Sequence, residues 1–283
     1  MNALTPLESL YDVERGNDLP LPPPLATLSG RLQFPPHPDR PYVLGNFVTT
    51  LDGVVALNVS DQSGGGAISG FNQHDHMVMG LLRAVSDAVI VGAGTLRAAP
   101  RHRWTAQHIY PALSAVYQQL RITLGKPEPP LNVFVTAHGE VNLDLPVFQS
   151  GEVPVLIVTT TQGMQRIYEH NIPSSVQVSG VQSAGPLSAQ AILKAVCDEC
   201  QCNMILVEGG PQLMADFFAE RLLDELFLTL APQIAGRDNV TERPGLVAGR
   251  TFAPENPLWG TLIGVKRGGS HLFLRYAFET PEV

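Results

Sequence analysis

From Tyr42 onward, apolar runs alternate with polar, glycine-marked breaks at spacings that suit an alternation of strands and helices. Tyr42–Leu51 is rich in β-branched and aromatic residues and stops at the turn pair Asp52-Gly53, which predicts a buried strand. After Ser63-Gly64-Gly65-Gly66, a run too flexible for an element, Phe71, Met77, Met79, Leu81 and Leu82 fall at helical spacing. They predict a helix over Ser69–Ala84, capped near Ser69. A strand is predicted at Ala88–Val91, closing on Gly92-Ala93-Gly94-Thr95, then a helix at Pro111–Leu124 and strands at Asn132–Thr136 and Val155–Thr159. Ser188 caps a helix reaching about Cys200, and the short strand Met204–Val207 stops at Glu208-Gly209-Gly210-Pro211. A proline just inside a helix start fits Pro211–Arg221. Leu226–Leu230 is a further strand, and Leu262–Lys266 with Leu272–Phe278 form a hairpin around Gly268-Gly269 that sets Leu272, Leu274, Tyr276 and Phe278 on one face. Strands alternating with helices, then an antiparallel hairpin at one edge, predict an α/β fold on a mostly parallel central sheet.

Prolines bound this body. Pro22-Pro23-Pro24 and Pro35-Pro36-His37-Pro38 mark residues 1–41 as a Pro-rich arm without regular core structure, and the stretch 101–130, ending in Pro127-Glu128-Pro129-Pro130, reads as an insertion. The main domain then spans 42–283. Composition narrows the partners. A net charge of −8 over 283 residues repels phosphate backbones and anionic lipid, so nucleic acid and membrane surfaces are poor partners. Apolar runs such as Val153–Val158 and Met204–Val207 fall far short of the ~18 residues of a membrane helix. Met1–Arg15 carries Glu8, Asp12 and Glu14 and does not read as a secretory signal, so a cytoplasmic location is expected. Cys197, Cys200 and Cys202 crowd together without a nearby fourth metal ligand, so no metal site is expected; they read as reduced thiols at a helix end.

Candidate chemistry gathers at three strand-end turns: Thr50-Leu51-Asp52-Gly53, Gly92-Ala93-Gly94-Thr95 and Glu208-Gly209-Gly210-Pro211. In open α/β sheets ligands bind beyond the carboxyl ends of strands, and a glycine pair before a helix lets backbone N–H groups approach a phosphate. Each turn alone equally suits a tight connection with no ligand. The G-x-G-x-x-G and P-loop spacings are missing, and Ser183 is one residue out of register for a nucleophile elbow. His74-Asp75-His76 reads as a solvated helix face, since residues two apart on a helix point to nearly opposite sides. Arg97, Arg101, His102 and Arg103, following the second glycine turn, are either a solvated loop or a seat for a phosphate.

Taken in order, Thr50-Leu51-Asp52-Gly53, Ile68-Ser69, Leu82–Thr95, Leu206–Pro211, Leu223-Asp224-Glu225-Leu226 and Ala231–Gly236 resemble the pyrimidine reductase domain of riboflavin biosynthesis, over about residues 42–279. The resemblance implies the dihydrofolate reductase-like three-layer fold and an NADPH-dependent homodimer that reduces a ribosylamino-pyrimidine phosphate, turning ribosyl into ribityl. It implies a cofactor seat at Gly92, Gly94, Thr95, Gly209 and Gly210, with Thr159 and Thr160 near the adenosine end. Asp52 and Glu208 would border the nicotinamide as catalytic carboxyls, and Thr50, Ser69, Arg83, Arg101 and Arg103 would meet the substrate. Asp52 equally reads as a turn aspartate bonding its own backbone, and Glu208 as a strand-end carboxylate accepting helix N–H groups. The chain departs from the family in Arg97-Ala98-Ala99-Pro100, where an acidic residue usually precedes the proline, and in Val54, where a basic residue often follows Asp-Gly. The same features also suit a reductase of another small molecule, such as a pterin or another carbonyl or imine compound, or a non-catalytic NADP-binding module.

Overall fold

The computed structural model describes residues 4–59, 65–182, 187–238 and 240–278; Ser63, Gly64 and Ser183–Gly185 lie outside the described residues. Within the first 41 residues the chain forms β1 (Glu8–Asp12), β2 (Asn17–Asp18), α1 (Pro23–Ser29) and β3 (Gln33–Phe34). The expectation of an arm without regular structure is therefore corrected. Prolines occupy the first turn of α1, where their missing N–H groups would have had no intrahelical partner, so they start a helix here. Leu25, Leu32 and Phe34 of this segment are buried in the main core.

The body continues as β4 (Tyr42–Thr49), α2 (Gly65–Ser69), α3 (Gln73–Val85), β5 (Ala88–Gly92), α4 (Ala93–Ala98), α5 (Ala106–Ile109), α6 (Ser114–Thr123) and β6 (Leu131–Thr136). It proceeds through α7 (Pro146–Gln149), β7 (Val155–Thr160), α8 (Thr161–Tyr168), β8 (Val176–Val181), α9 (Ala189–Glu199), β9 (Met204–Val207) and α10 (Pro211–Ala219). Then β10 (Glu225–Leu230), β11 (Thr261–Gly268) and β12 (His271–Ala277) complete it. Among the described residues ten strands join in one sheet, ordered β1-β11-β12-β10-β4-β9-β5-β6-β7-β8, with the run from β10 to β8 parallel and β12, β11 and β1 antiparallel.

The pleat sorts each strand between two cores. Val89, Val91, Phe134, Ile157 and Leu206 face the layer of α1, α3, α5 and α6, while Ile90, Val133, Leu156, Ile205 and Val207 face α9 and α10. This is the three-layer arrangement expected. Segment 101–130, read as an insertion, supplies part of the first layer: Trp104, Tyr117 and Leu120 are buried. The Tyr117 ring lies where a side chain at Gly80 would stand, and its hydroxyl donates to the Met77 carbonyl at 2.9 Å. Arg121 donates to the carbonyls of Ala84 and Ser86 at 3.0 and 2.9 Å, satisfying the end of α3.

Other details differ from the sequence reading. The helix predicted from Ser69 is two helices broken at Gly70-Phe71, and Asn72, whose side chain accepts from the amides of His74 and Asp75, caps α3. Gly65 and Gly66 open α2 rather than forming a loose run. In β12 Leu272, Leu274 and Tyr276 share one face, as expected, and the more deeply buried residues are Phe273, Arg275 and Ala277 on the other. Arg275 pairs with Glu225 at 2.7 Å and stacks over Phe227 and Phe34, and this cationic packing ties the N-terminal segment to the hairpin. Cys200 and Cys202 are joined as a disulfide and Cys197 is free, so the expectation of three reduced thiols is corrected.

Candidate active site

Beyond the carboxyl ends of β4, β9, β5 and β6 lies a cavity of about 900 Å³, at the upper end of the size range for small-molecule sites. Asn46 and Phe47 of β4, Glu208 after β9, Gly92 at the end of β5 and Thr136 at the end of β6 contribute to its wall. Parallel strands alone bring these together, because each strand delivers its C-terminal end to the same side of the sheet.

Glu208 and Arg83 form the charged centre. The guanidinium donates to the carboxylate through Nε, at 3.2 and 3.0 Å, and through Nη2, at 2.7 Å, with the two side chains only 1% and 3% exposed. A forked pair of this kind fixes both groups in orientation as well as in charge. Asn46 reaches the same carboxylate from β4 at 3.4 Å. Nη1 of Arg83 donates to Nε2 of His102 at 2.8 Å, and since guanidinium cannot accept, the His102 proton sits on Nδ1. Burial first, and the Arg83 charge next, hold His102 neutral with its pKa driven down to about 2.

The glycine turns meet across the wall. The Gly92 amide donates to the Gly209 carbonyl at 2.7 Å, and a β-carbon on Gly92 would stand 3.5 Å from the Gly210 nitrogen. A β-carbon on Gly209, whose φ is +123°, would stand 3.1 Å from the Thr95 hydroxyl. Gly92 starts α4 and Gly210 starts α10, and neither helix has a side-chain cap, so backbone N–H groups of two helix starts border one cavity. This cradle fits the pyrophosphate of a dinucleotide: small residues give backbone access, and the helix starts supply donors and partial positive charge.

Other predicted site residues go elsewhere. Asp52 does not line the cavity; its carboxylate accepts from the Thr50 hydroxyl at 2.6 Å and from the amides of Ala235 and Gly236 at 3.0 and 2.8 Å. These hydrogen bonds, led by Thr50, hold its pKa down at about 2. Thr50 is thereby spent on the turn. Arg101 is exposed outside the cavity lining, and Arg103 pairs with Glu152 at 3.0 Å on the surface. Thr159 is buried with its hydroxyl unpartnered, and Thr160 caps α8, so neither lines the cavity; Thr136, Ala137 and His138, one strand over, do. Ser69 is buried behind the wall, where its hydroxyl donates to the Gly66 carbonyl at 3.3 Å.

Two wall residues went unrecognised as site residues in the sequence. Asp75 is 4% exposed on the cavity wall and His76 beside it is half-buried there, which overturns the solvated face read for His74-Asp75-His76. His74 is buried too, its ring nitrogen 2.8 Å from the Thr5 carbonyl. Within the helix predicted over Ser69–Ala84, Asp75 stands seven residues, about two turns, before Leu82, and that spacing already turned it toward the side of Leu82. Arg97, the exposed arginine of the predicted basic cluster that does reach the cavity, makes no ion pair among the described residues.

A family model described as the RibD C-terminal domain matches residues 41–256. Over 203 residues the chain is 28% identical to a 2,5-diamino-6-ribosylamino-4(3H)-pyrimidinone 5′-phosphate reductase of Archaeoglobus fulgidus, covering 71% of this chain and 85% of that protein. Among solved structures it is similar to a pyrimidine reductase-like protein of Corynebacterium diphtheriae, with a TM-score of 0.64 at 21% identity, covering 85% of this chain and 92% of that one. A Thermotoga maritima diaminohydroxyphosphoribosylaminopyrimidine deaminase/5-amino-6-(5-phosphoribosylamino)uracil reductase matches at a TM-score of 0.59 and 20% identity, covering 85% of this chain. The match spans 57% of that longer chain.

Proposed function

The chain belongs to the RibD C-terminal domain family, and from that premise we propose that it is an NADPH-dependent reductase of a ribosylamino-pyrimidine 5′-phosphate, converting the ribosyl to a ribityl group. The observation that carries this reading is the meeting, in one cavity, of the Gly92 and Gly209-Gly210 cradle with the buried Arg83–Glu208 pair. A nicotinamide cofactor, when bound, supplies the hydride. The protein's task is then to seat two anionic molecules, align them and manage one proton.

Gly94, Thr95, Gly209 and Gly210 hold the pyrophosphate through backbone donors, and Gly92, whose own amide is bonded to the Gly209 carbonyl, lines the seat with no side chain in the way. Arg97, at the cavity, makes no ion pair among the described residues and takes the substrate phosphate, the task first assigned to Arg101 and Arg103. Glu208 is oriented from both sides by Arg83 and Asn46, which makes it a fixed acceptor for substrate hydroxyl or amino groups. NADPH in preference to NADH is supported by Arg166, which donates to the His138 carbonyl at 3.3 Å beside the β6 end of the cavity. Exposed Leu51 and Ile234, on segments joined by the Leu51 N–H to Gln233 carbonyl bond, support a homodimer.

Following nicotinamide absorbance with purified protein, the ribosylamino-pyrimidine phosphate and either NADPH or NADH tests the reading. Turnover with NADPH is the expected result. Tight NADPH binding without turnover overturns the substrate assignment, no binding of either cofactor overturns the reductase reading, and a monomer in light scattering overturns the dimer.

A further inference from the structure

We propose that Asp75 is the acid that protonates the ribosyl ring oxygen as the ring opens, an inference that rests on the reductase reading above. Reduction of the ribosylamino group adds a hydride to C1′. The bond from C1′ to the ring oxygen breaks, its electron pair stays on that oxygen, and one proton must arrive there to leave a hydroxyl. The cofactor carries no such proton, so the cavity wall or solvent has to supply it.

Among the described residues, the other proton carriers on the wall are committed, peripheral or held neutral. His76 is half-buried there, and burial first, with the Arg83 charge, lowers its pKa against the pull of Asp75 and so favours the unprotonated ring. Glu208 is held by Arg83, His102 is neutral with Nε2 occupied by Arg83, and Asp216 pairs with Arg250 at 2.7 Å. His138, Glu140 and Glu242 are exposed. Ala98 and Ala99 bring no proton to their part of the wall. Asp75 is different: it lines the cavity, is nearly fully buried, and makes no ion pair among the described residues.

The groups facing it come from four elements. Thr229 of β10 and Ser69 of α2 bring hydroxyls, His76 stands beside it on α3, and Glu208 approaches from the end of β9. Burial is the largest influence on its pKa and pushes it upward, against Thr229, His76 and Ser69 and with the Glu208 charge. That is the direction required of a group that must carry a proton near neutral pH. After transfer, the carboxylate left next to Glu208 regains its proton from solvent on the cavity side.

The test is Asp75→Asn, which keeps the shape but has no acidic proton. The expected result is a kcat lowered about 100-fold or more, with NADPH affinity and thermal midpoint at wild-type values. A second measurement needs neither turnover nor the variant's folding: carbon-13 NMR of the wild-type aspartate carboxyls at neutral pH should show Asp75 protonated. Asp75→Asn with wild-type kcat overturns the proposal, as does a carboxyl ionised at neutral pH. A wild type inert toward the pyrimidine phosphate, yet with Asp75 protonated, overturns the reductase reading and the acid role that depends on it, so the two failures have different signatures.

Discussion

Asp52-Gly53 and Glu208-Gly209 follow neighbouring parallel strands, β4 and β9, and each pairs an acidic residue with a glycine, yet their carboxylates do opposite things. Both Asp52 oxygens are satisfied by donors of the turn and of the segment after β10. Glu208 meets a guanidinium reaching across from α3, on a wall that stays open to the cavity. The difference lies in the donor. At Asp52 a hydroxyl and two backbone amides saturate the carboxylate and pin a loop, with the Arg237 guanidinium no nearer than 4.0 Å, whereas at Glu208 a hydrogen-bonded guanidinium fixes the carboxylate's direction while leaving the site accessible to a ligand.

The largest effect that should sharpen this contrast comes from Arg83→Met. It leaves Glu208 buried without its cation and should cost about 3–5 kcal/mol of stability in denaturant unfolding. Adding Glu208→Gln to Arg83→Met should recover a large part of that loss, because the stranded charge goes with it. If Arg83→Met unfolds at the wild-type midpoint, the pair is not the buried anchor described here.

Next in size is Gly209→Ala. Its φ of +123° is one a side chain rarely adopts, and the added carbon would press on the Thr95 hydroxyl at 3.1 Å. We expect a loss of about 1–3 kcal/mol in stability and, by calorimetry, clearly weaker NADPH binding. Unchanged cofactor affinity would move the pyrophosphate seat away from this turn.

How much of this was legible in the chain follows from which signals are local. The parallel sheet, the hairpin and the cavity end of the sheet were readable, because short apolar, β-branched runs and strand-end glycines are sequence-local. Asp75 was legible only in part. Its spacing turns it toward the side of Leu82, but its burial depends on β10 arriving from more than 150 positions away with Thr229. Arg101 and Arg103 show the converse, since charge density in sequence says nothing about which arginine faces inward; Arg97 reaches the cavity while Arg103 meets Glu152 outside. The N-terminal segment was misread because a proline run is compatible with a helix start, and what holds α1 in place, a Lys266 ammonium donating to the Ser29 carbonyl at 2.5 Å, is a contact across most of the chain.

The smallest effect, and the sharpest on the comparison, belongs to Asp52→Asn. The Asp52 pKa in the folded protein lies at about 2, below the ordinary 3.8, because the Thr50 hydroxyl and the Ala235 and Gly236 amides favour the ionised form. A depressed folded-state pKa means a contribution to stability that is complete above the unfolded value and disappears as pH falls through the folded one. Wild-type protein should therefore lose stability between about pH 4 and pH 2 by a step that Asp52→Asn lacks, while the variant is modestly less stable at neutral pH. Its kcat/KM should stay within about twofold of wild type, as for a substitution that leaves the cavity wall intact. Parallel urea titrations across that pH range, with turnover measured at neutral pH, decide the matter: a variant that unfolds like wild type but no longer turns over would place Asp52 with Glu208 in the chemistry and reverse the distinction between the two turns.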